Sequence, residues 1–332
     1  MRRLEQHWYC VSPLHLLTWP LSMLFAALTG LRRVLYRSGF YPATRVPVPV
    51  IVVGNISVGG TGKTPLVIRL AEWLRECGCH PGIVSRGYGG SSRSPRPALA
   101  GDDPREVGDE PVLLARRTGC PVWVGVRRGE VAHALLAAHP ECDVILSDDG
   151  LQHYALARDV AIAVVDGERG FGNGMLLPAG PLREPLRRLA CADAIVINGT
   201  ALFSRDMLPG DVPVFDMNVT GDRFYGVVDP RRQAGPDYFA GRCVHAVAAI
   251  GYPQRFFNRL RELGISFLAH PFPDHHAFSV ADVTFADGDA VIMTEKDAVK
   301  CVDLANENFW MLRVDAQTET ALEALILNRI RG

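Results

Sequence analysis

The feature that most constrains the fold is one continuous stretch: the apolar run VPVIVVG (48–54), the glycine-rich NISVGGTGKTP (55–65), and LVIRLAEWLREC with helical spacing, closing on Gly78. A strand apolar on both faces must be covered on both faces, which points to a largely parallel α/β sheet. A glycine loop joining such a strand to a helix is the setting of a phosphate cradle.

The loop nearly fits G-x-x-x-x-G-K-[ST], but Ser57 stands where the first glycine belongs. Gly59, Gly60 and Gly62, with Thr61 between them, free the backbone to turn its N–H groups around an anion. Lys63 can reach the β- and γ-phosphates, Thr64 can ligate Mg²⁺, and the helix beginning near Pro65 points its positive end at the phosphates. Ser57 costs little, because the N–H groups that matter come later, and Gly54 supplies freedom upstream. The bland alternative is a glycine-rich turn with no ligand. A second nucleotide element follows at VILSDDG, where Asp148 and Asp149 end a strand and could hold Mg²⁺ directly or through water. Alone it could equally be an acidic turn.

The rest of the chain continues the alternation. HPGIVS, CPVWVGV, CDVILSDDG, DVAIAVVDG and ADAIVINGT are expected as strands, with a helix around GEVAHALLAAHP and a loop over 91–108. Past about residue 200 the pattern resumes as RCVHAVAAIG, the helix PQRFFNRLRELG, ISFLAHPF and GDAVIMTEKDAVKC. The expected architecture is therefore a P-loop NTPase-type α/β core at 39–205, a smaller α/β domain at 206–332, and an N-terminal segment at 1–38.

That segment carries leucines at 14, 17, 21, 24, 28, 31 and 35, one helical stripe, while Thr18, Ser22, Thr29 and Arg33 fall on the other face. His15, Pro20 and the closing Arg32-Arg33 make it a poor spanning helix. It suits the bilayer interface, with Trp8, Tyr9 and Trp19 at headgroup level and Arg2, Arg3, Arg32, Arg33 and Arg37 toward anionic lipid. A helix packed on the domain, or a signal or spanning segment, are the alternatives.

Composition closes off other classes. The 332 residues are 48% apolar with formal net charge −1, so no overall basic field recommends nucleic acid as a partner. Eight scattered cysteines are expected as reduced core thiols, and Cys77 with Cys79 lacks a second pair at zinc spacing. A small GTPase would need N-K-x-D, which Thr294-Glu295-Lys296-Asp297 does not match. A partitioning-type ATPase would need lysine where Val58 stands. Transfer to a small acceptor, or hydrolysis, remains.

The motifs GNISVGGTGKTP, SRGYGG, VGDEP, DDGLQH, GNGMLLPAGPLREP and FPDHHAFS, in this order after an apolar helix, closely resemble the tetraacyldisaccharide 4'-kinases, the lipid A 4'-kinases of Gram-negative bacteria. The family pattern also lacks a glycine at position 57. The resemblance implies transfer of the ATP γ-phosphoryl group, with Mg²⁺, to the 4'-hydroxyl of a lipid A disaccharide 1-phosphate precursor. It places the enzyme at the cytosolic face of the inner membrane; no obligate protein partner is evident in the sequence. It makes Asp109 the candidate base, with Glu110 beside it as a metal or orienting group; without it, a helix N-terminus would be the favoured reading of the pair. It also makes Asp274-His275 a catalytic element, whereas His270, His275 and His276 near one aspartate would otherwise suggest a metal site. Gln152 and His153 are substrate-side candidates or ordinary turn residues, and Arg86 could clamp a phosphate. Arg183 and Glu184, in the Pro-bracketed PAGPLREP, resemble the family's nucleotide- or substrate-contacting segment. Asp166 ends a strand and could be structural. The rival classes are a non-enzymatic P-loop switch and a soluble sugar kinase, the latter having no use for the leucine stripe.

Overall fold

The computed structural model describes residues 7–9 and 14–331. Arg2, Arg3 and Cys10 lie outside the described residues.

After helix α1 (Leu14–Arg37), the first half alternates β1 (Val50–Gly54), α2 (Lys63–Glu76), β2 (Pro81–Ser85), β3 (Arg96–Pro97), α3 (Pro104–Val107), α4 (Asp109–Thr118), β4 (Val122–Val124), α5 (Arg128–Ala138), β5 (Val144–Asp148), β6 (Val160–Asp166) and β7 (Ala194–Asn198). The second half contains β8 (Val214–Gly226), β9 (Gln233–Ala234), β10 (Val244–Ala248), α6 (Pro253–Glu262), β11 (Leu268–Pro271), α7 (Val280–Val283), β12 (Ala290–Thr294), α8 (Glu295–Ala298), β13 (Phe309–Thr318) and α9 (Thr320–Arg331). Residues 91–108, expected as loop, instead contain β3 and α3. β3 pairs antiparallel with β4, and Asp103 caps α3 by accepting the Arg105 N–H.

All the strands join one sheet, in the order β11-β10-β12-β13-β8-β7-β6-β1-β5-β2-β4-β3, with β9 paired to β8. β1, β2, β5, β6 and β7 are buried on both faces, as their unbroken apolar runs require. Two parallel blocks meet at β8. Its first residues run parallel to β7, with Met217 opposite Asn198, while the rest pairs antiparallel with β13, from Met217 opposite Thr318 to Gly226 opposite Trp310. Because β13 runs against β8 and parallel to β12, the carboxyl ends of the two blocks face each other across this ribbon. In open α/β sheets those ends are where ligands bind.

Apolar cores lie on both sides of the first block, one built on Leu66, Leu70 and Leu74 of α2, the other around Ile145 and Leu135. The second block has its own pair, centred on Phe257 and Leu260 and on Met293 and Phe278. The last helix, α9, crosses back: its Leu322 and Ile326 are buried in the α2 core of the first block.

Helix α1 packs with inverted polarity. His15 and Ser22 are buried, and the Ser22 hydroxyl donates to the Leu176 carbonyl and accepts the Ala179 N–H. Trp8 donates its indole N–H to the Pro178 carbonyl. The opposite face, Leu17, Leu21, Leu24, Leu28 and Leu31, is more than half exposed at every position. Among the described residues, no helix is long and apolar enough to cross a membrane. The cysteines also depart from expectation. All those described are free thiols, but Cys77 and Cys191 are exposed rather than in the core, because Cys77 caps the end of α2 and Cys191 is the last residue of a 3-10 turn.

Candidate active site

The glycine loop crosses the carboxyl end of β1, between β5 and β6. Gly59 and Gly62 both have left-handed backbones, with φ of 96° and 94°, which a side chain would strain. At Gly62 a Cβ would also sit 2.4 Å from the Asn198 amide. The buried Asn55 amide donates to the Gly59 carbonyl and the Thr61 hydroxyl, and Asn198 donates to the Thr61 carbonyl. Arg169 donates to the Gly60 carbonyl, stacks on Tyr252 at 4.8 Å and is held by Asp166. The cradle is thus fixed from outside with its N–H groups left over, and α2 begins at Lys63 itself. Ser57 is no gap in this design. It bridges to Leu182 in extended pairing, and the neighbouring Val58 N–H donates to Pro181, so position 57 requires no glycine.

Lys63 lies 3.4 Å from Asp149, which is also 3.1 Å from Arg183. Burial would raise the Asp149 carboxyl, but the two cations hold it down to about 2. Asp148 is different. It is buried, neither of its oxygens has a hydrogen-bond partner among the described residues, and burial together with Glu110 and Asp149 pushes it up to about 7. Two buried carboxylate oxygens without a hydrogen-bond partner leave room for a positive partner at Asp148. Thr64 at the second position of α2 and Asp149 beside it complete an oxygen donor set suited to Mg²⁺, which usually keeps several waters and takes only one or two carboxylates from the protein.

Arg128 was not foreseen. Its guanidinium is buried, donates to the carbonyls of Gly125 and Asp148, and is drawn down to about 10 by desolvation. Its backbone N–H donates to His153, whose imidazole is driven down to about 4 by burial and the surrounding arginines. His153 is therefore neutral and an acceptor. Gln152 donates to the Asn55 carbonyl and to Glu184, tying the loop to PAGPLREP. Glu184 is buried and further engaged by Tyr154 and Arg188, so of the pair only Arg183 reaches Asp149. Arg86 is exposed and, among the described residues, has no hydrogen bond or ion pair.

The second block supplies the other wall. Asp109 opens α4, its carboxylate accepting the Glu110 N–H, so the helix-start reading holds as well. The same carboxylate accepts from His275 Nδ1 at 3.0 Å and lies 4.0 Å from both Lys296 and Lys300. Burial opposes ionisation, but the His275 hydrogen bond and the two lysines outweigh it and hold Asp109 below the usual carboxylate range. His275 is correspondingly raised: burial would lower it, and the bond to Asp109 prevails. Asp149 and His275, with φ of 48° and 58°, are the non-glycine residues with left-handed backbones among those described, strain of the kind found at functional sites.

Lys296 is the second residue that the sequence concealed. Its ammonium donates to Glu110 at 2.9 Å and to Asp274 at 3.3 Å, and lies 3.4 Å from His275 Nε2. It joins every member of the acidic pair to the histidine element. The three histidines do not form one site: His270 contacts His245, His275 contacts Asp109, and His276 contacts Asp282. Asp109, His275 and Lys300 line a pocket edged by Tyr88, Arg105 and Phe278. Two struts hold the walls together, Arg255 to Asp166 at 2.9 Å and the buried pair Arg117 and Glu295 at 2.8 Å.

The profile of the family described as LpxK, tetraacyldisaccharide-1-P 4'-kinase, matches residues 14–331. The tetraacyldisaccharide 4'-kinase of Methylobacillus flagellatus is 50% identical over 329 residues, 99% of this chain and 96% of that protein. That of Azoarcus sp. is 50% identical over 331 residues, 98% and 94% of the two chains. The crystal structure of LpxK from Aquifex aeolicus in complex with ATP superposes with a TM-score of 0.78 at 31% identity, covering 94% of this chain and 98% of that one.

Proposed function

The chain belongs to the tetraacyldisaccharide 4'-kinase family, and from that premise we propose that it transfers the γ-phosphoryl group of ATP to the 4'-hydroxyl of a tetraacyl disaccharide 1-phosphate in lipid A biosynthesis. The observation that carries the reading is the Asp109 carboxylate, buried yet ionised, fixed by His275 across the cleft and adjacent to Glu110, whose charge acts on Asp148.

A sugar hydroxyl needs a positioned base at neutral pH, and Asp109 is suited to accept its proton as the oxygen attacks. His275 Nδ1 contacts both oxygens of that carboxylate, and the Lys296 ammonium lies 3.4 Å from the far ring nitrogen, so the proton is received beside fixed positive charge rather than on an isolated acid. The N–H groups of Gly59 to Thr64 and the Lys63 ammonium supply positive charge where the β- and γ-phosphates would lie. Thr64, Asp148 and Asp149 would hold Mg²⁺, which neutralises phosphate charge when bound. Arg183 stands beside Asp149 and is placed to orient the nucleotide.

The acyl chains of such an acceptor stay in the bilayer, so the enzyme must reach the headgroup. Helix α1 presents its apolar face outward and its polar face to the protein, the arrangement of an interfacial anchor at the cytoplasmic face of the inner membrane. Arg32, Arg33 and Arg37 at its end are suited to anionic lipid.

The test is γ-phosphate transfer from labelled ATP to the purified lipid disaccharide acceptor, run beside Lys63→Ala. Label in the lipid, lost in the variant, is the expected result. Label only in a water-soluble sugar would overturn the reading in favour of a soluble sugar kinase, and nucleotide-dependent partner binding without transfer would favour a switch.

A further inference from the structure

Far from the cleft, at the amino-terminal ends of the second block's strands, one ligand atom each from Cys243, His245 and Asp287 converges within 4.8 Å. Among the described residues this is the one group of three such side chains so close. Cys243 immediately precedes β10, His245 lies on it, and Asp287 sits in the turn that leads into β12.

The spacing is that of a coordination shell. His245 Nε2 lies 3.4 Å from the Asp287 carboxylate and 3.9 Å from Cys243 Sγ. Around a tetrahedral ion with N and O ligands at about 2.0–2.1 Å and S at about 2.3 Å, those edges would be about 3.3 and about 3.6 Å. The imidazole is also oriented. Its Nδ1 is 2.9 Å from His270 Nε2, so an Nδ1–H donated there leaves the Nε2 lone pair facing the other two ligands, the support usual for a metal-bound histidine. Phe285 stacks on the ring at 3.9 Å, and Gly288 closes over it so tightly that a Cβ would sit 2.9 Å from the ring carbon Cδ2. The Cys243 N–H donates to Asp289, which fixes the thiol's backbone. Asp287 is exposed, which leaves an entry path.

We infer that Cys243, His245 and Asp287 bind one divalent ion of the Zn²⁺ class, with water at the fourth position, and that this ion fastens β10 to the turn entering β12. A thiolate and an imidazole select a borderline transition metal over Mg²⁺ or Ca²⁺, so the site is chemically separate from the phosphate centre. It lies at the strand ends opposite the cleft, so its role is to hold the sheet's outer strands in register.

The experiment is Co²⁺ titration of the full-length protein, followed by the thiolate-to-cobalt charge-transfer absorption. One saturable equivalent, displaced by Zn²⁺, lost in Cys243→Ser and retained in a Cys77→Ser/Cys79→Ser double variant, is expected. Losing an outer-shell partner alone costs about 10–100-fold in metal affinity, so removing the ligand in Asp287→Ala should cost at least that. Asp287 is exposed, and an unchanged metal-free melting temperature shows that its variant folds. Absence of the band, its survival in Cys243→Ser, undiminished affinity in Asp287→Ala, or its loss in the Cys77/Cys79 variant would each overturn the inference.

Discussion

His275 Nδ1 lies 3.0 Å from the Asp109 carboxylate, joining the start of α4 in the first block to the loop after β11 in the second. The candidate base is complete only when both blocks are in place.

Replacing Asp109 with Asn keeps the helix start and the shape but removes the proton acceptor. Phosphoryl transfer should fall by about 10²–10⁴-fold. Equilibrium ATP binding should be unchanged, because the loop at 59–64 does not touch residue 109. Parallel measurement of kcat and of nucleotide Kd separates the two, and retained transfer would remove Asp109 from the chemistry.

His275 gives a pH signature. Its folded-state pKa is raised above the ordinary 6.5, and such a group adds stability that is fully present below the unfolded value and lost as pH rises through the folded one. The stability gap between the wild type and His275→Gln should therefore be widest near about pH 6 and narrow in more alkaline buffer. Urea denaturation across that range measures it, and a gap that widens with pH would contradict the assigned hydrogen bond.

Asp148 carries the opposite sign. An acid whose folded pKa is pushed up to about 7 costs stability as pH rises above its ordinary 3.8, in full once above 7. Asp148→Asn should thus raise the melting temperature of the metal-free protein in alkaline buffer and change it little in acid, while Mg²⁺-dependent transfer is lost. Thermal scans at two pH values with and without Mg²⁺ check both halves of the expectation.

The pair Arg117 and Glu295 is buried on both sides and ties the far end of α4 to the second block. Arg117→Met should cost about 3–5 kcal/mol by leaving Glu295 unpaired, and adding Glu295→Leu should recover much of it. Denaturant midpoints of the single and double variants decide the matter. A single variant as stable as the wild type would show the pair to be dispensable.

The outward stripe of α1 is testable without touching the site. Leu24→Glu with Leu28→Glu removes two side chains worth about 1.5–3 kcal/mol each on burial, so vesicle partitioning should drop by about 10²–10⁴-fold. Transfer to detergent-dispersed acceptor should survive. Undiminished sedimentation with vesicles would argue against α1 as the anchor.

The glycine loop between β1 and α2, the Asp148-Asp149 pair at the end of β5 and the first block's strands were legible because each is local: the residues that make the feature are neighbours in the chain. β8 and β13 were not, since their burial alternates or breaks and VFDMNVTGDRFYG offers no unbroken apolar run. Lys296 escaped because its partners, Glu110, Asp274 and His275, are distant in sequence and TEKDAVK looks like a solvated turn. Arg128 did leave a trace. An arginine in the first turn of a helix is electrostatically misplaced, which signals an acceptor elsewhere, here the Asp148 carbonyl. Glu184 was legible as a motif member but not as an inward one, because burial depends on Tyr154 and Arg188 folding over it.

The β8/β13 ribbon bears on how the two walls can move. They share a hydrogen-bonded ladder, so the distance between Lys63 and His275 cannot change by a free swing about a linker. It must be absorbed as torsion along two strands. The ladder is interrupted between Arg313 and Asp315, and there Gly221 lies so close to the Arg313 carbonyl that a Cβ would be 1.9 Å away. Twist in such a torsion bar would concentrate at that irregularity, and its elastic recoil would return the cleft to its resting width after each turnover.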